Sequence, residues 1–502
     1  MDNIVHGFLI ALQPVNLWYC FVGVFLGTAV GVLPGLGALT AIAVLLPLSF
    51  YLDPTTAIIM LAGVYYGGEY GSSTSSILLN IPGGPASAVT CLDGYPLARK
   101  GKAGVALLVT TVASFIGGSL GIVLLMVATP SLAAFALLFG PVEYTGMLFF
   151  GLLAASSVAK DSPMKGLLMV LLGLLLGCVG TDMQSGLDRY TFDLFALRDG
   201  LNIGIVALGI FGVAEIISSA LQPISGEVKS VSLRSMIPDR EERKLMVMPT
   251  LRGSGIGLLM GLLPGTGPTL ASYISYAFEV RLSRKPEHFG HGAIEGIASP
   301  EASNNAAGQA GFVSLLGLGI PGTATMAVML GALMIHNIVP GPRLIVEQPG
   351  LFWGVVASFW VGNLLLLILN IPLIGLWVSI LRVPYRYLYP FLLAIMGIGA
   401  LVVNNNPFDI IIMLVFGIFG YLASSYKFHP APLLIGFLLG PLLEQNLRRA
   451  LIVADGNYTE FLRNPISGTF IALSALIIAY SIYTSLKQRK VSRLSAVANE
   501  DS

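Results

Sequence analysis

Long apolar stretches with charges confined to their ends set the rhythm of this chain. Uncharged runs extend from Asn3 to Leu52, Tyr70 to Leu92, Ala103 to Val142, Ala302 to Pro342, Gln348 to Leu381 and Asn464 to Leu486. A helix needs about 20 apolar residues to cross a bilayer, so each run has room for one span or two. The ten-residue alternation of polar and apolar positions that a membrane β-barrel requires is missing. The pattern therefore predicts an all-α polytopic membrane protein. Two runs are interrupted in nearly the same words, by "GVLPGLG" from Gly31 and "GLLPGTG" from Gly261. Pro34 and Pro264 each remove a backbone donor, and the glycines around them weaken the helix.

Composition agrees with the pattern: 55% of residues are hydrophobic and 11% charged, where a soluble domain carries about a quarter charged. Net charge of +1 excludes a nucleic-acid partner and a strongly acidic one. Cys20, Cys91 and Cys178 lie far apart in apolar surroundings, which reads as packed thiols rather than a metal site or disulfide framework. Residues 1–16 carry Asp2 and neither Lys nor Arg, unlike the basic start of a cleaved signal peptide.

Basic residues in short loops give a path through the membrane. Arg99, Lys100 and Lys102 mark an inside loop, Pro130 to Pro141 an outside one, and Lys160 with Lys165 an inside return. Asp182 to Asp199 is net acidic and outside, and the basic segment from Lys229 to Arg252 is inside again. In the second half Arg382 and Arg386 read as inside, "NNNPFD" from Asn404 as outside, Lys427 as inside and the Lys487 to Arg493 tail as inside. Arg448, Arg449 and Arg463 resist this scheme by falling outside. The expected organisation is an N-terminal membrane repeat over 1–222, a cytoplasmic linker over 223–252, a C-terminal membrane repeat over 253–486 and a basic tail over 487–502. The N-terminus is expected to be periplasmic and the C-terminus cytoplasmic.

Internal similarity supports the division into halves. "NIPGGPASAV" from Asn80 matches "GIPGTATMAV" from Gly319, and "SSVAKDSPMKGLLMVLLG" from Ser156 matches "LVVNNNPFDIIIMLVFG" from Leu401 more weakly. Equivalent loops fall on opposite sides by charge. Two inverted-topology repeats with discontinuous or re-entrant helices meeting near the membrane midplane are the expectation, the plan of secondary transporters.

The breaks carry the candidate chemistry. Backbone amides and carbonyls freed at membrane depth persist only where protein, water or a ligand satisfies them. Helix N-termini suit carboxylates and unwound carbonyls suit Na⁺. Polar residues gather there: Glu69, Ser72 to Ser76 and Asn80 in the first half; Glu301, Ser303, Asn304, Asn305, Gln309, Thr323 and Thr325 in the second. Glu69 and Glu301, at similar distances beyond Pro34 and Pro264, are candidate cation-coupling groups. An individual helix hydroxyl is expected merely to satisfy a carbonyl one turn back. His288, His291, His336, Glu143 and Glu215 read as loop, core or helix-end residues.

"GVLPGLG", "GGEYGSSTSSILLNIPG", "LDGYPLARKGKAGVAL", "SPEASNNAAGQAGF", "GIPGTATMAVMLGAL", "PGPRLIVEQP" and "LEQNLRRAL" together resemble the large membrane subunit of the tripartite tricarboxylate transporters, from about Val15 to Ala450. The resemblance implies a multi-pass permease of the bacterial inner membrane. Its partners would be a small membrane subunit and a periplasmic carboxylate-binding protein, besides membrane lipid. It would import citrate-like carboxylates with Na⁺ or H⁺ as coupling ion and no other cofactor. It supports Gly35, Gly37, Asn80, Pro82 and Gly83, and likewise Gly265, Gly267, Asn304, Asn305, Pro321 and Gly322, as site residues. Ser73, Thr266 and Thr323 complete the candidate substrate set. The chain departs from the family at Gly84, where an acidic residue is common. HExxH, GxSxG and Walker A motifs are absent, so no enzyme is expected, with an intramembrane hydrolase or a carboxylate channel as the alternative.

Overall fold

The computed structural model describes residues 2–136, 139–156, 163–182, 185–220, 232–263, 267–341, 343–381, 383 and 385–479. Prolines and glycines lay out the first helices: α1 (Asp2–Ala11), α2 (Pro14–Val32), α3 (Gly37–Ser49) and α4 (Pro54–Leu79). Asp53 caps α4 by accepting the Thr55 amide at 3.0 Å, satisfying a donor that the helix leaves free. A 3₁₀ turn, Pro85–Ala88, leads into α5 (Thr90–Leu97) and α6 (Ala103–Ala136). Helices α7 (Pro141–Ser156) and α8 (Pro163–Gly177) follow, then a hairpin pairing β1 (Gly180–Thr181) antiparallel with β2 (Asp188–Arg189). Helices α9 (Ile203–Ala207) and α10 (Ala214–Ala220) are joined by a π-helical stretch, Leu208–Val213.

The second half runs through α11 (Arg240–Leu262), α12 (Gly267–Leu282), α13 (Glu295–Leu318), α14 (Ala324–Ile335), α15 (Leu344–Glu347) and α16 (Pro349–Asn370). It closes with α17 (Ile374–Ile380), α18 (Tyr385–Asn404), α19 (Phe408–Ser425), α20 (Ala431–Val453) and α21 (Glu460–Arg463), then α22 (Pro465–Ala479). Six stretches among the described residues are long and apolar enough to cross a bilayer. Among the described residues the protein is all-α apart from one short hairpin, as befits a multi-pass membrane protein. The expected linker is helical from Arg240 onward, its residues continuous with α11. Its start is fixed by Asp239 and Glu242, which accept each other's backbone amides at 2.8 Å. The basic tail, 487–502, lies outside the described residues.

Contacts group the chain into two compact units, each drawing on both sequence halves: residues 1–137 with 204–421, and residues 138–203 with 422–502. In the first unit, α2 lies along α4 and α11 along α13. Gly23, Gly27 and Gly31 face the carbonyls of Met60, Val64 and Gly68, while Gly253, Gly257 and Gly261 face those of Ser299, Ser303 and Ala307. A Cβ at any of the six would collide with the facing oxygen. Without water to drive association, membrane helices gain contact by bringing backbones close, and small residues four apart allow it. In the same unit α19 packs on the π-helical stretch Leu208–Val213, with Gly209 against Met413 and Gly420 against Ile210.

In the second unit, α8 and α7 pack on α20, with Gly173 against the Leu433 carbonyl and Gly436 against that of Val170. Glu143 accepts the Gly140 amide at 2.8 Å and the Asn464 amide at 2.5 Å, the helix-end role expected for it. One of the three arginines that resisted the topology scheme is paired: Arg448 meets Glu444 at 2.5 Å and Asp182 at 3.2 Å. Its positive charge is held by the acidic loop, so the sorting of free basic residues between faces does not act on it.

Candidate functional site

Each of the four breaks forms where its sequence denies the helix a partner. In α2 the backbone leaves helical torsions at Leu33 (φ −75, ψ 119), whose amide turns back to the Val30 carbonyl. Pro34 has no donor, and Gly35 (φ +85) and Gly37 (φ +60) then turn the chain into α3, through a left-handed region that glycine enters without penalty. Helix α4 ends on Asn80 in the left-handed conformation (φ 59), a cap that asparagine tolerates, so its identity has a structural explanation. The first two breaks touch. The Gly35 amide donates to the Pro82 carbonyl and the Gly83 amide to that of Ser72, both at 3.4 Å.

The second half repeats these torsions. Leu263 (φ −89, ψ 119) ends α11 as Leu33 ends α2, and Gly267 (φ +58) opens α12 as Gly37 opens α3. Gly319 (φ 73) stands where Asn80 stands. Thr323 (φ −142, ψ 167) stands where Gly84 (φ −151, ψ 167) stands. These breaks also touch, since a Cβ at Gly267 would meet Thr323 Cγ2 at 2.8 Å. Pro264, Gly265 and Thr266 lie outside the described residues, while Gly322 is buried. The short helices beyond the breaks pack crosswise: α3 against α14, and α12 against the Pro85–Ala88 turn, where Ser272 Oγ donates to the Ala86 carbonyl at 2.9 Å.

Matching torsions make a substitution readable in advance. Gly84 already has the backbone conformation of Thr323, and a Cβ there would have its nearest atom 4.0 Å away. Thr323 Oγ1 accepts the Met326 amide at 3.2 Å. We expect Gly84→Thr to preserve the fold and raise stability by about 0.5–1 kcal/mol, through a side-chain cap and a less flexible unfolded chain. A thermal-unfolding comparison that showed clear destabilisation would contradict the equivalence of the two turns.

Beside the breaks lies a buried polar cluster centred on Glu301, which is fully buried on α13. Thr90 donates its hydroxyl to Oε1 and Ser114 donates to Oε2 at 3.3 Å. Asn305 Nδ2 donates to Ser114 Oγ at 2.7 Å and to the Glu301 carbonyl at 3.0 Å. Glu301, Asn305 and Gln309 are spaced four apart and share one face of α13. Ser73 and Asn304 also approach the Glu301 carboxylate, yet neither Ser73 Oγ nor Asn304 Nδ2 reaches hydrogen-bond geometry. Tyr65, Ser303 and Gln309 each keep a buried side-chain oxygen without a partner. Such groups are expensive to bury, and two of them, Ser73 and Asn304, beside one buried carboxylate mark a place suited to an ion or water.

Glu69 lies within coulombic reach of Glu301, so the cluster holds two acids whose charges oppose each other in a low-dielectric interior. The sequence placed them at matching positions, and the structure corrects this. In the glycine-to-carbonyl register Glu69 corresponds to Gly308 and Glu301 to Ala62, so each acid is two turns from its counterpart's place. Their neighbours behave as expected of helix hydroxyls: Ser72, Ser75 and Ser76 donate to backbone carbonyls three or four residues back.

Three contributors escaped the sequence reading. Thr90 and Ser114 look like ordinary membrane-helix hydroxyls, and only the packing of α5 and α6 on α13 aims them at Glu301. Glu215 was read as a helix-end acid. It does lie in the first turn of α10, and its Oε1 and the hydroxyl of Ser219, which donates to it at 3.1 Å, also face Gly35 in the first break. Among the described residues no group of three metal-binding side chains gathers, and no Lys or Arg occurs from Met1 to Ala98 or from Pro286 to Pro342.

The family described as "Tripartite tricarboxylate transporter TctA family" matches residues 17–435. An Agrobacterium vitis protein described as an uncharacterized 52.8 kDa protein of the TAR-I ttuC' 3' region is 47% identical over 490 residues, 98% of this chain and of its own length. A second from the same organism, of the TAR-II ttuC' 3' region, is 50% identical over 234 residues, 47% of this chain and 97% of its own length. No solved structure matches.

Proposed function

The chain belongs to the tripartite tricarboxylate transporter TctA family, and from that premise we propose that it imports citrate-like carboxylates by Na⁺ or H⁺ symport. In this reading it is the multi-pass permease of a bacterial inner membrane, with a periplasmic N-terminus and a cytoplasmic C-terminus. A small membrane subunit accompanies it and a periplasmic solute-binding protein delivers the carboxylate. The two halves act as inverted repeats about a site near the midplane. The paired torsions at Leu33 and Leu263, Gly37 and Gly267, and Gly84 and Thr323 support that symmetry.

The observation that carries the proposal is the setting of Glu301. A fully buried carboxylate ringed by hydroxyls and amides lies on helices that run into paired helix breaks, in segments without a basic side chain. Amides at the breaks suit the anion, at Gly37, Gly267, Gly322 and Thr323, while those of Gly35 and Gly83 hold the first break pair together; Ser73, Asn304 and Asn305 belong to the polar cluster around the acid. No side chain there offsets the charge of a multivalent anion. A coupling cation held at Glu301, with Glu69 nearby, would do so.

The expected result follows directly. Protein reconstituted in liposomes accumulates labelled citrate only under an inward Na⁺ or H⁺ gradient, and the gradient of one ion suffices. Uptake indifferent to both gradients would refute symport. Equilibration without accumulation would favour a channel.

A further inference from the structure

The hairpin between α8 and α9 displays its apolar side chains to solvent. Phe192 is 82% and Phe195 80% exposed, and Leu187, Tyr190 and Leu194 are exposed with them. This is not a slack loop. Tyr190 (φ 53), Phe192 (φ 50) and Asp193 (φ 59) are all left-handed, a conformation that costs bulky residues energy and persists only where the surroundings enforce it. The enforcement is visible. Thr181 donates its amide to the Arg198 carbonyl at 2.8 Å and its hydroxyl to Asp188 at 2.7 Å. Arg198 pairs with Asp188 at 3.0 Å, and Arg189 with Glu444 at 2.9 Å. Arg448 braces the base through Asp182.

These pairs use Asp182 and Asp188 but leave Asp193 and Asp199 exposed and without an ion-pair partner among the described residues. The tip is therefore an exposed aromatic patch on a braced base, with two carboxylates at its edge that lack an ion-pair partner among the described residues. Burial in lipid would strand Asp193, which lies between Phe192 and Leu194, and anionic headgroups would repel both acids. A protein surface can meet both demands, with an apolar hollow for the rings and basic side chains at its rim. That is the usual anatomy of an interface.

We propose that the Leu187–Phe195 loop docks a folded soluble partner through Phe192 and Phe195, oriented by Asp193 and Asp199. Resting on the transport reading above, that partner is the carboxylate-delivering binding protein. The small patch suits a transient encounter, made and broken in each transport cycle.

The test measures binding of the purified periplasmic binder encoded with this chain to the full-length protein in nanodiscs. Double substitution Phe192→Ser with Phe195→Ser weakens binding at least tenfold, and Asp193→Lys weakens it with a reduced dependence on salt. Neither changes citrate binding to the nanodisc protein, which shows that the fold is intact. Equal binding by wild type and both variants would overturn the docking site and leave the transport reading standing. No binding by wild type would overturn the delivery step of that reading and this inference with it. Quenching of Phe192→Trp fluorescence by brominated lipid would assign the patch to the membrane instead. A change of oligomeric mass in the Phe192→Ser, Phe195→Ser variant would assign it to a second copy. Either result overturns the proposal.

Discussion

Replacing Glu301 with Gln should abolish coupling while leaving a folded, carboxylate-binding protein. Glutamine keeps the shape of the side chain and an oxygen that can accept from Thr90, and Ser114 can reorient toward the new amide. What is removed is the charge, in a fully buried position. In wild type the cation raises carboxylate affinity by a coupling energy of the usual size, about 1–3 kcal/mol or roughly 5–150-fold. In Glu301→Gln that dependence falls to about unity, and citrate accumulation in liposomes falls with it. Glu69→Gln gives a partial effect, because Glu69 lacks the ring of donors that surrounds Glu301. Titration of citrate affinity against Na⁺ and against pH measures both variants. Undiminished cation dependence in Glu301→Gln would remove Glu301 from the mechanism.

Gly83→Val is expected to lose both folding yield and transport. A Cβ at Gly83 would run into the Gly31 carbonyl oxygen and would stand 2.6 Å from Ser72 Cα. All of these are backbone atoms, held by the α2–α4 seam, so nothing flexible can yield. Inserting a single methylene into a packed core typically costs about 1–3 kcal/mol. A branched side chain at a point where three segments cross should exceed that range, enough to remove much of a marginal stability. The adjacent Gly84, with open space around it, should accept a side chain. Fluorescence-detected size exclusion of the two variants separates them, and a well-folded Gly83→Val with normal uptake would contradict the close approach of the two breaks.

The sequence made the breaks legible because proline and glycine act locally. Leu33 to Leu36 and Asn80 to Gly84 are non-helical for reasons that lie in their own residues. Repetition made their partners legible too, as the paired torsions bear out at Leu263, Gly267, Gly319 and Thr323. The polar cluster was legible only in part. Glu301, Asn304 and Asn305 stood out by their chemistry, but Thr90 and Ser114 belong to the cluster through helix packing, which a hydroxyl in an apolar run does not reveal. The two acids were placed in a shared register by counting from Pro34 and Pro264. That count slips because a short turn joins α3 to α4, whereas a longer segment joins α12 to α13. Glu215 sits at a helix end as its sequence suggests, but its place beside Gly35, far away in the chain, was not legible.

The grouping of the chain into units was also invisible to a linear reading. Halves recognised by similarity need not be separate bodies, and here α8 packs on α20 while α19 packs on the Leu208–Val213 stretch. Each half thus lends helices to the other's neighbourhood. In an inverted-repeat transporter such exchange would let one half move only by carrying part of the other with it.

The most direct test of the central claim is a cryo-EM map of the protein with citrate and saturating Na⁺ at a resolution that shows small ligands. The account predicts citrate density against the backbone amides of a break pair, at Gly37 or at Gly267 and Thr323, with cation density or an ordered proton-bearing contact at Glu301. Citrate bound away from all four breaks would contradict it.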